Sequence, residues 1–213
     1  MRIEALRKQA GQEEIDYQFL KSALSEYAYP RDKITAWLKS GELIRVKKGL
    51  YIFGEGVSQR PYSKETLANL IYGPSAISLT YALSYYGLIP ERVETVTSIT
   101  NSRNKKFSTG VGAFQYFYLH PKKYAAGILL RSDDQSPSFL IASPEKALCD
   151  QLHLIDNDYV LKNLDDMDKY LLLSLRIDES LLVEFDLIRL KELSDIYHNP
   201  QLTLLYDYIK ARK

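Results

Sequence analysis

Between Arg31 and Lys48 the sequence places six basic residues, Arg31, Lys33, Lys39, Arg45, Lys47 and Lys48, against two acidic ones, Asp32 and Glu42. Cations at this density suit phosphate neutralisation, and an arginine can also pair bidentately with a guanine edge. If Ile34, Trp37 and Leu38 face a core, helical spacing turns Asp32, Lys33, Thr35, Ala36 and Lys39 outward and leaves Arg31 at the helix start. Arg45, Lys47 and Lys48 fall beyond Gly41, on a segment of different period. Arg31, Lys33 and Thr35 are therefore the candidates for base contacts, and Lys39, Arg45, Lys47 and Lys48 for phosphate contacts. Five neutralised phosphates would make affinity fall with salt at a log–log slope of about −4 to −5 through counterion release. The competing reading is a solvated helix face beside a basic turn, the ordinary meaning of a charge run.

Other residue types offer less. His120, His153 and His198 are scattered, and there is no His-Glu-x-x-His pattern or glycine-rich phosphate loop. Cys149 and His153 are four apart on an expected helix, which is half a zinc site at best and fits two core residues better. A metal-dependent nuclease could use Asp133 or Asp134 with Glu145 and Lys146. That chemistry wants the acid and the lysine two apart on a strand, whereas here they are adjacent and follow Pro144, so their side chains should diverge. The expectation is a protein that is not an enzyme and has no metal or cofactor. Arg103, Lys105, Lys106, Lys122, Lys123 and Arg131 lie in a stretch, Thr95 to Ser132, without any acid. They could form a second basic surface for RNA, flanking DNA or an acidic partner, or simply a set of solvated loops.

The elements that must position these groups can be read from periodicity. Ile15, Phe19, Leu20, Ala23, Leu24 and Tyr27 predict a helix ending near Tyr29-Pro30, and Ile34, Trp37 and Leu38 a shorter one closed by Gly41, with residues 1–10 available for a helix before them. Leu43 to Val46 and Leu50 to Phe53 read as two strands joined by Lys47-Lys48-Gly49, with the glycine free to take a left-handed turn conformation. Gly54 to Pro61 reads as a linker. Beyond it, helices are expected at 63–72 and 75–87, and β-rich runs at 93–100, 113–119, 127–131 and 138–142. Ser143-Pro144-Glu145 starts a helix to about residue 155, and helices follow at 168–176, 180–197 and after Pro200. Tyr81, Tyr85 and Tyr86 fit a core. The fold class expected is α+β, a winged helix-turn-helix over 1–56 followed by a larger mixed domain over 57–213.

Composition agrees with that division. The 213 residues have a net charge of only +1. That sum hides 10 Lys/Arg against 7 Asp/Glu in residues 1–54 and 18 against 20 in the remainder. A single cysteine excludes an internal disulfide and fits a reducing compartment, and no apolar run could serve as a signal peptide or cross a bilayer, so a cytoplasmic location is expected.

Three stretches carry a family likeness. ITAWLKSGELIRVKKGLYIF (Ile34 to Phe53), GPSAISLTYALSYYGLIPE (Gly73 to Glu91) and ASPEKALCD (Ala142 to Asp150) follow one another as in the AbiEi-type antitoxins of bacterial abortive-infection toxin–antitoxin systems, which the chain resembles from about residue 30 to 155. The resemblance implies a winged-helix autorepressor acting on inverted repeats of double-stranded operator DNA upstream of its own operon. It also implies a C-terminal domain that counteracts a nucleotidyltransferase-like toxin, often without a stable complex, in phage defence. An adaptor that uses its winged helix for protein contacts is the remaining alternative, alongside the nuclease.

Overall fold

The computed structural model describes residues 1–133, 136–154 and 161–213, and for Asp133 and Ser136 the backbone alone. The chain is a mixed α+β protein with a three-stranded and a six-stranded sheet.

The first part, here called the head, runs α1 (Ile3–Ala10), β1 (Glu14–Asp16), α2 (Tyr17–Ala23), α3 (Pro30–Lys39), β2 (Leu43–Lys47) and β3 (Leu50–Phe53). Its strands are antiparallel in the order β1-β3-β2. The spacing of apolar residues predicts Ile15 inside a helix, but Ile15 pairs with Tyr51 in β1. Asp16 is the reason. Its side chain accepts the Phe19 amide at 2.7 Å, so the helix can begin only after it. That helix also stops at Ala23, well before Pro30. The second helix matches expectation: Pro30 sits in its first turn, where a missing N–H costs nothing, and Gly41 at φ 77° turns the chain into β2.

All four residues of β3 are buried, because both faces of the small sheet are covered. Tyr51 and Phe53 point to the helices and join Ile3, Leu20, Ile34 and Trp37 in one core. Leu50 and Ile52, with Val46 of β2, point the other way and belong to the core of the remainder of the chain. The expected linker is likewise tied down. Gln59 and Arg60 amides donate to Glu13 Oε1 at 3.1 Å each, the Arg60 guanidinium reaches the Gly11 carbonyl at 3.0 Å, and Gly54 is packed against the Gly41 backbone.

The second part, the body, contains α4 (Lys64–Ile71), β4 (Ser75–Ile77), α5 (Leu79–Tyr85), β5 (Val96–Thr100), β6 (Lys105–Thr109), β7 (Gly112–Tyr118), α6 (Pro121–Ala125), β8 (Ile128–Asp133), β9 (Ser136–Ala142) and α7 (Pro144–His153). There follow α8 (Leu164–Asp168), which continues as a π-helical stretch over Lys169–Ser174, then α9 (Glu179–Leu182), α10 (Leu187–Tyr197) and α11 (Pro200–Lys210). The strand order is β6-β7-β5-β4-β9-β8, parallel at β5/β7 and β4/β9 and antiparallel elsewhere. The expected helix at 75–87 is in fact β4 followed by α5. Ser75, Ala76 and Ile77 are buried between β5 and β9, and the extended Ser78 and left-handed Leu79 break any helix through them. Strand β6, whose Lys-Lys-Phe-Ser-Thr sequence has no apolar run, had no sequence signal and is held as an edge by β7. Helix α7 begins as expected, with Ser143 Oγ accepting the Lys146 amide at 3.2 Å; residue 155, its expected end, lies outside the described residues. The helix expected over 180–197 is broken before Asp186, whose carboxylate caps α10 by accepting the Ile188 and Arg189 amides.

Candidate nucleic-acid interface

Helix α3 buries Ile34 and Trp37 against the small sheet and leaves Arg31, Asp32, Thr35, Ala36 and Lys39 exposed. The tip of the β2–β3 hairpin is fixed beside it, because the Tyr17 amide at the start of α2 donates to the Gly49 carbonyl at 2.9 Å. Gly49 holds φ 86°, so a side chain there would strain the turn. Between α3 and the hairpin lies an open cleft. Arg31 and Thr35 line it from the helix, and Arg45 and Lys48 from the hairpin. Its floor is Ile34, Leu38, Tyr17 and Tyr51, and no carboxylate lines it.

The cations of the cleft are held lightly. Arg31 Nε donates to the Tyr17 hydroxyl at 3.5 Å, which pushes an already high guanidinium pKa higher. The Arg45 guanidinium stands 6.0 Å from the Tyr51 ring centroid. Thr35 Oγ1 donates back to the Arg31 carbonyl at 2.8 Å, and its oxygen remains free to accept.

The other candidates divide. Lys39 is exposed in the last turn of α3, outside the cleft lining. Lys33 is half-buried with its ammonium 5.1 Å over the Trp37 ring, so the structure does not bring it to the cleft. Lys47 departs from expectation altogether. Arg45 stands opposite Tyr51 and Lys47 opposite Leu50, so Val46 is an extra residue in β2. Strict alternation would aim Lys47 the same way as Arg45, but the bulge re-aims it toward the body. There its ammonium donates to the carbonyl of Ile71 at the end of α4, the negative end of a helix dipole, and burial lowers its pKa.

The second basic stretch does not form one surface. Arg103, Lys105 and Lys106 are exposed at or beside β6, one edge of the large sheet, while Arg131 is on β8, the opposite edge, 5.6 Å over the Tyr86 ring. Lys122 is exposed on α6, but Lys123 turns inward, with its ammonium 3.2 Å from His153 Nε2. Of the three tyrosines expected in a core, Tyr81 and Tyr86 are partly buried and Tyr85 is exposed. The Tyr81 hydroxyl donates to Glu65 at 2.6 Å and that of Tyr86 to the Ala142 carbonyl at 2.8 Å, while the Tyr85 ring lies edge-on to Tyr86 and Phe139.

Helix α7 holds a dense buried polar cluster. Lys146, fully buried, donates to the Lys123 carbonyl at 2.8 Å, the Tyr197 hydroxyl at 2.7 Å and Asp150 Oδ1 at 3.3 Å. Asp150 also accepts from Ser78 at 2.6 Å and from the Tyr197 hydroxyl, whose pKa burial drives far up. Glu145 faces away from Lys146. It accepts the Asp186 amide at 3.0 Å, the Ser143 hydroxyl at 2.7 Å and Arg189 at 3.4 Å. The acid and lysine of the nuclease reading therefore belong to two separate sets of contacts, and Asp134 and the Asp133 side chain lie outside the described residues. Cys149 is fully buried with its thiol pKa pushed up by burial, and His153 sits among Lys123, Asn199 and Tyr197.

Two important residues gave no sequence signal, Glu13 and Glu14. Glu13 forms a buried bidentate pair with Arg7, at 2.6 and 3.0 Å, while clamping the chain at Gln59 and Arg60. Glu14 accepts the Ser63 amide at 2.5 Å, next to the start of α4, and burial raises its pKa. Together they orient the head on the body. No family model matches the chain, and no curated protein matches it significantly.

Proposed function

We propose that the head is a winged helix that binds duplex DNA, with α3 entering the major groove and the β2–β3 hairpin as the wing. One observation carries this reading: Arg31, Thr35, Arg45 and Lys48 share a single solvent-open cleft without a carboxylate, and the outer face of α3 is not covered by the body. Arg31 and Thr35 read base edges, and Arg45, Lys48 and Lys39 neutralise phosphates. Lys33 makes at most a marginal contact, its ammonium lying over Trp37, and Lys47 makes none because the body occupies it.

The resemblance in three sequence stretches extends the reading to a transcriptional autorepressor and antitoxin of a bacterial abortive-infection system. Such a protein is not an enzyme, and it opposes a nucleotidyltransferase-like toxin, in contact with it or through its products. Anisotropy titrations with labelled DNA from upstream of the gene test the DNA half. Arg45→Ala should weaken binding to all sequences alike, whereas Arg31→Ala should lose about 1–3 kcal/mol of discrimination at one base pair and relax specificity there. Equal affinities for wild type and both variants would refute the reading and favour an adaptor that docks protein through this face.

A further inference from the structure

The cleft of the head has two chemistries, and duplex DNA uses only one of them. Its rim is cationic: Arg31, Arg45 and Lys48 line it, and no acidic side chain does. Its floor is apolar: Leu38 and the Tyr17 ring are partly exposed in it, over the nearly buried Ile34 and Tyr51. A phosphate bound at the rim would leave that floor wet. Exposed apolar surface at the bottom of a concavity, ringed by like charges, is the complement of a small molecule with a flat apolar body and a single anionic group. The floor takes the body by exclusion of water, the guanidinium of Arg31 or Arg45 takes a carboxylate or sulfonate bidentately, and Tyr17 offers a hydroxyl beside it. The walls are preformed, since the Tyr17 amide holds the Gly49 carbonyl and Ile34 and Tyr51 are themselves anchored in the head core.

We propose that this cleft is a binding site for a small aromatic or similarly flat organic anion, and that this ligand and DNA exclude one another. The second half rests on the DNA-binding reading, because it needs the same cations to face phosphates. The first half does not. Ligand binding would then release the regulator from its site by direct competition for Arg31, Arg45 and Lys48, with no conformational change required.

The test uses the full chain and the fluorescent probe anilinonaphthalene sulfonate, an aromatic body with one anionic group. Trp37 is the only tryptophan and lies buried in α3, so energy transfer from it to the probe reports occupancy at the head. Saturable binding is expected, weakened about tenfold by Leu38→Gln, which spoils the floor. Thr35→Glu adds a carboxylate at an exposed position, where folding is not at risk, and should weaken it by at least as much. Leu173→Gln, at an exposed leucine in the body, is the control and should change nothing. Duplex DNA at low salt should displace the probe. Probe binding indifferent to Leu38→Gln and Thr35→Glu, or no binding while DNA binds, overturns the site and leaves the DNA reading standing. Probe binding that follows the variants, with no DNA binding at any salt, supports the ligand site and overturns both the competition and the DNA reading.

Discussion

Lys47 and Lys48 are neighbours with identical side chains and opposite surroundings, and the difference is one inserted residue in β2. Lys48 is exposed at the cleft, whereas Lys47 donates to the carbonyl of Ile71 in the body. Lys47→Ala should therefore leave the salt dependence of DNA binding unchanged and cost about 1 kcal/mol of stability in urea unfolding, through the lost charge-assisted hydrogen bond. Lys48→Ala should do the reverse, with stability within about 0.5 kcal/mol of wild type and a shallower salt slope. His153 carries a second consequence at this scale. Burial, and then the Lys123 ammonium 3.2 Å away, hold its pKa below the usual histidine value of 6.5. The unfolded chain takes up that proton at about 6.5, while the fold refuses it until lower pH, so this contribution to stability is complete above the ordinary value and is lost as pH falls through the folded one. The unfolding midpoint should drop on going from pH 7 toward 5, and His153→Gln should flatten that part of the profile. An unchanged profile in the variant would show that His153 is not the group responsible.

At the scale of elements, the junction between the segments is set by backbone contact as much as by side chains. A Cβ on Gly54 would sit 1.9 Å from the Gly41 carbonyl oxygen, and neither backbone segment can yield cheaply, whereas a Cβ on Gly56 meets nothing within 4 Å. Gly54→Ala should destabilise by about 1–3 kcal/mol in denaturant melts, and Gly56→Ala should be close to neutral. The same junction marks the limit of what could be read in advance. Helix α3, the β2–β3 hairpin, α7 and α11 were legible because capping residues, prolines, glycines and periodicity all agreed in each of them. Strands β1, β4 and β6 were not, since Glu14–Asp16 and Ser75–Ile77 owe their extension to partners far along the chain, and Lys105–Thr109 to the adjacent β7 across a hairpin, and not to their own composition. Of the cleft, Arg31, Thr35, Arg45 and Lys48 followed from helical facing and hairpin pairing. Lys47 did not, because a bulge changes the face of a side chain without leaving a mark in the local pattern. The apolar floor was equally hidden: Ile34 and Leu38 read as core, yet Leu38 stays partly exposed beside the Tyr17 ring in the cleft.

For the molecule as a whole, the acid pair Glu13 and Glu14, the Lys47 contact and the shared burial of Val46, Leu50 and Ile52 bind the head to the body on one side. The other side, with α3 and the cleft, is left to solvent. A head held in this way presents its cations as a fixed array and loses little freedom on docking, which favours recognition of one rigid partner over many soft ones. Among the described residues no helix is long and apolar enough to cross a membrane. The array holds four exposed cations, Arg31, Lys39, Arg45 and Lys48; with Arg31 proposed for a base edge, three are left for phosphates, against the five first suggested by the sequence. The most direct measurement is the affinity of the full chain for duplex DNA from upstream of its gene across a salt series. Three neutralised phosphates per copy predict a log–log slope of about −3, shallower by roughly two in the Arg45→Ala/Lys48→Ala double variant. A slope near zero, or one that the double variant leaves unchanged, would contradict the claim that this face is where DNA binds.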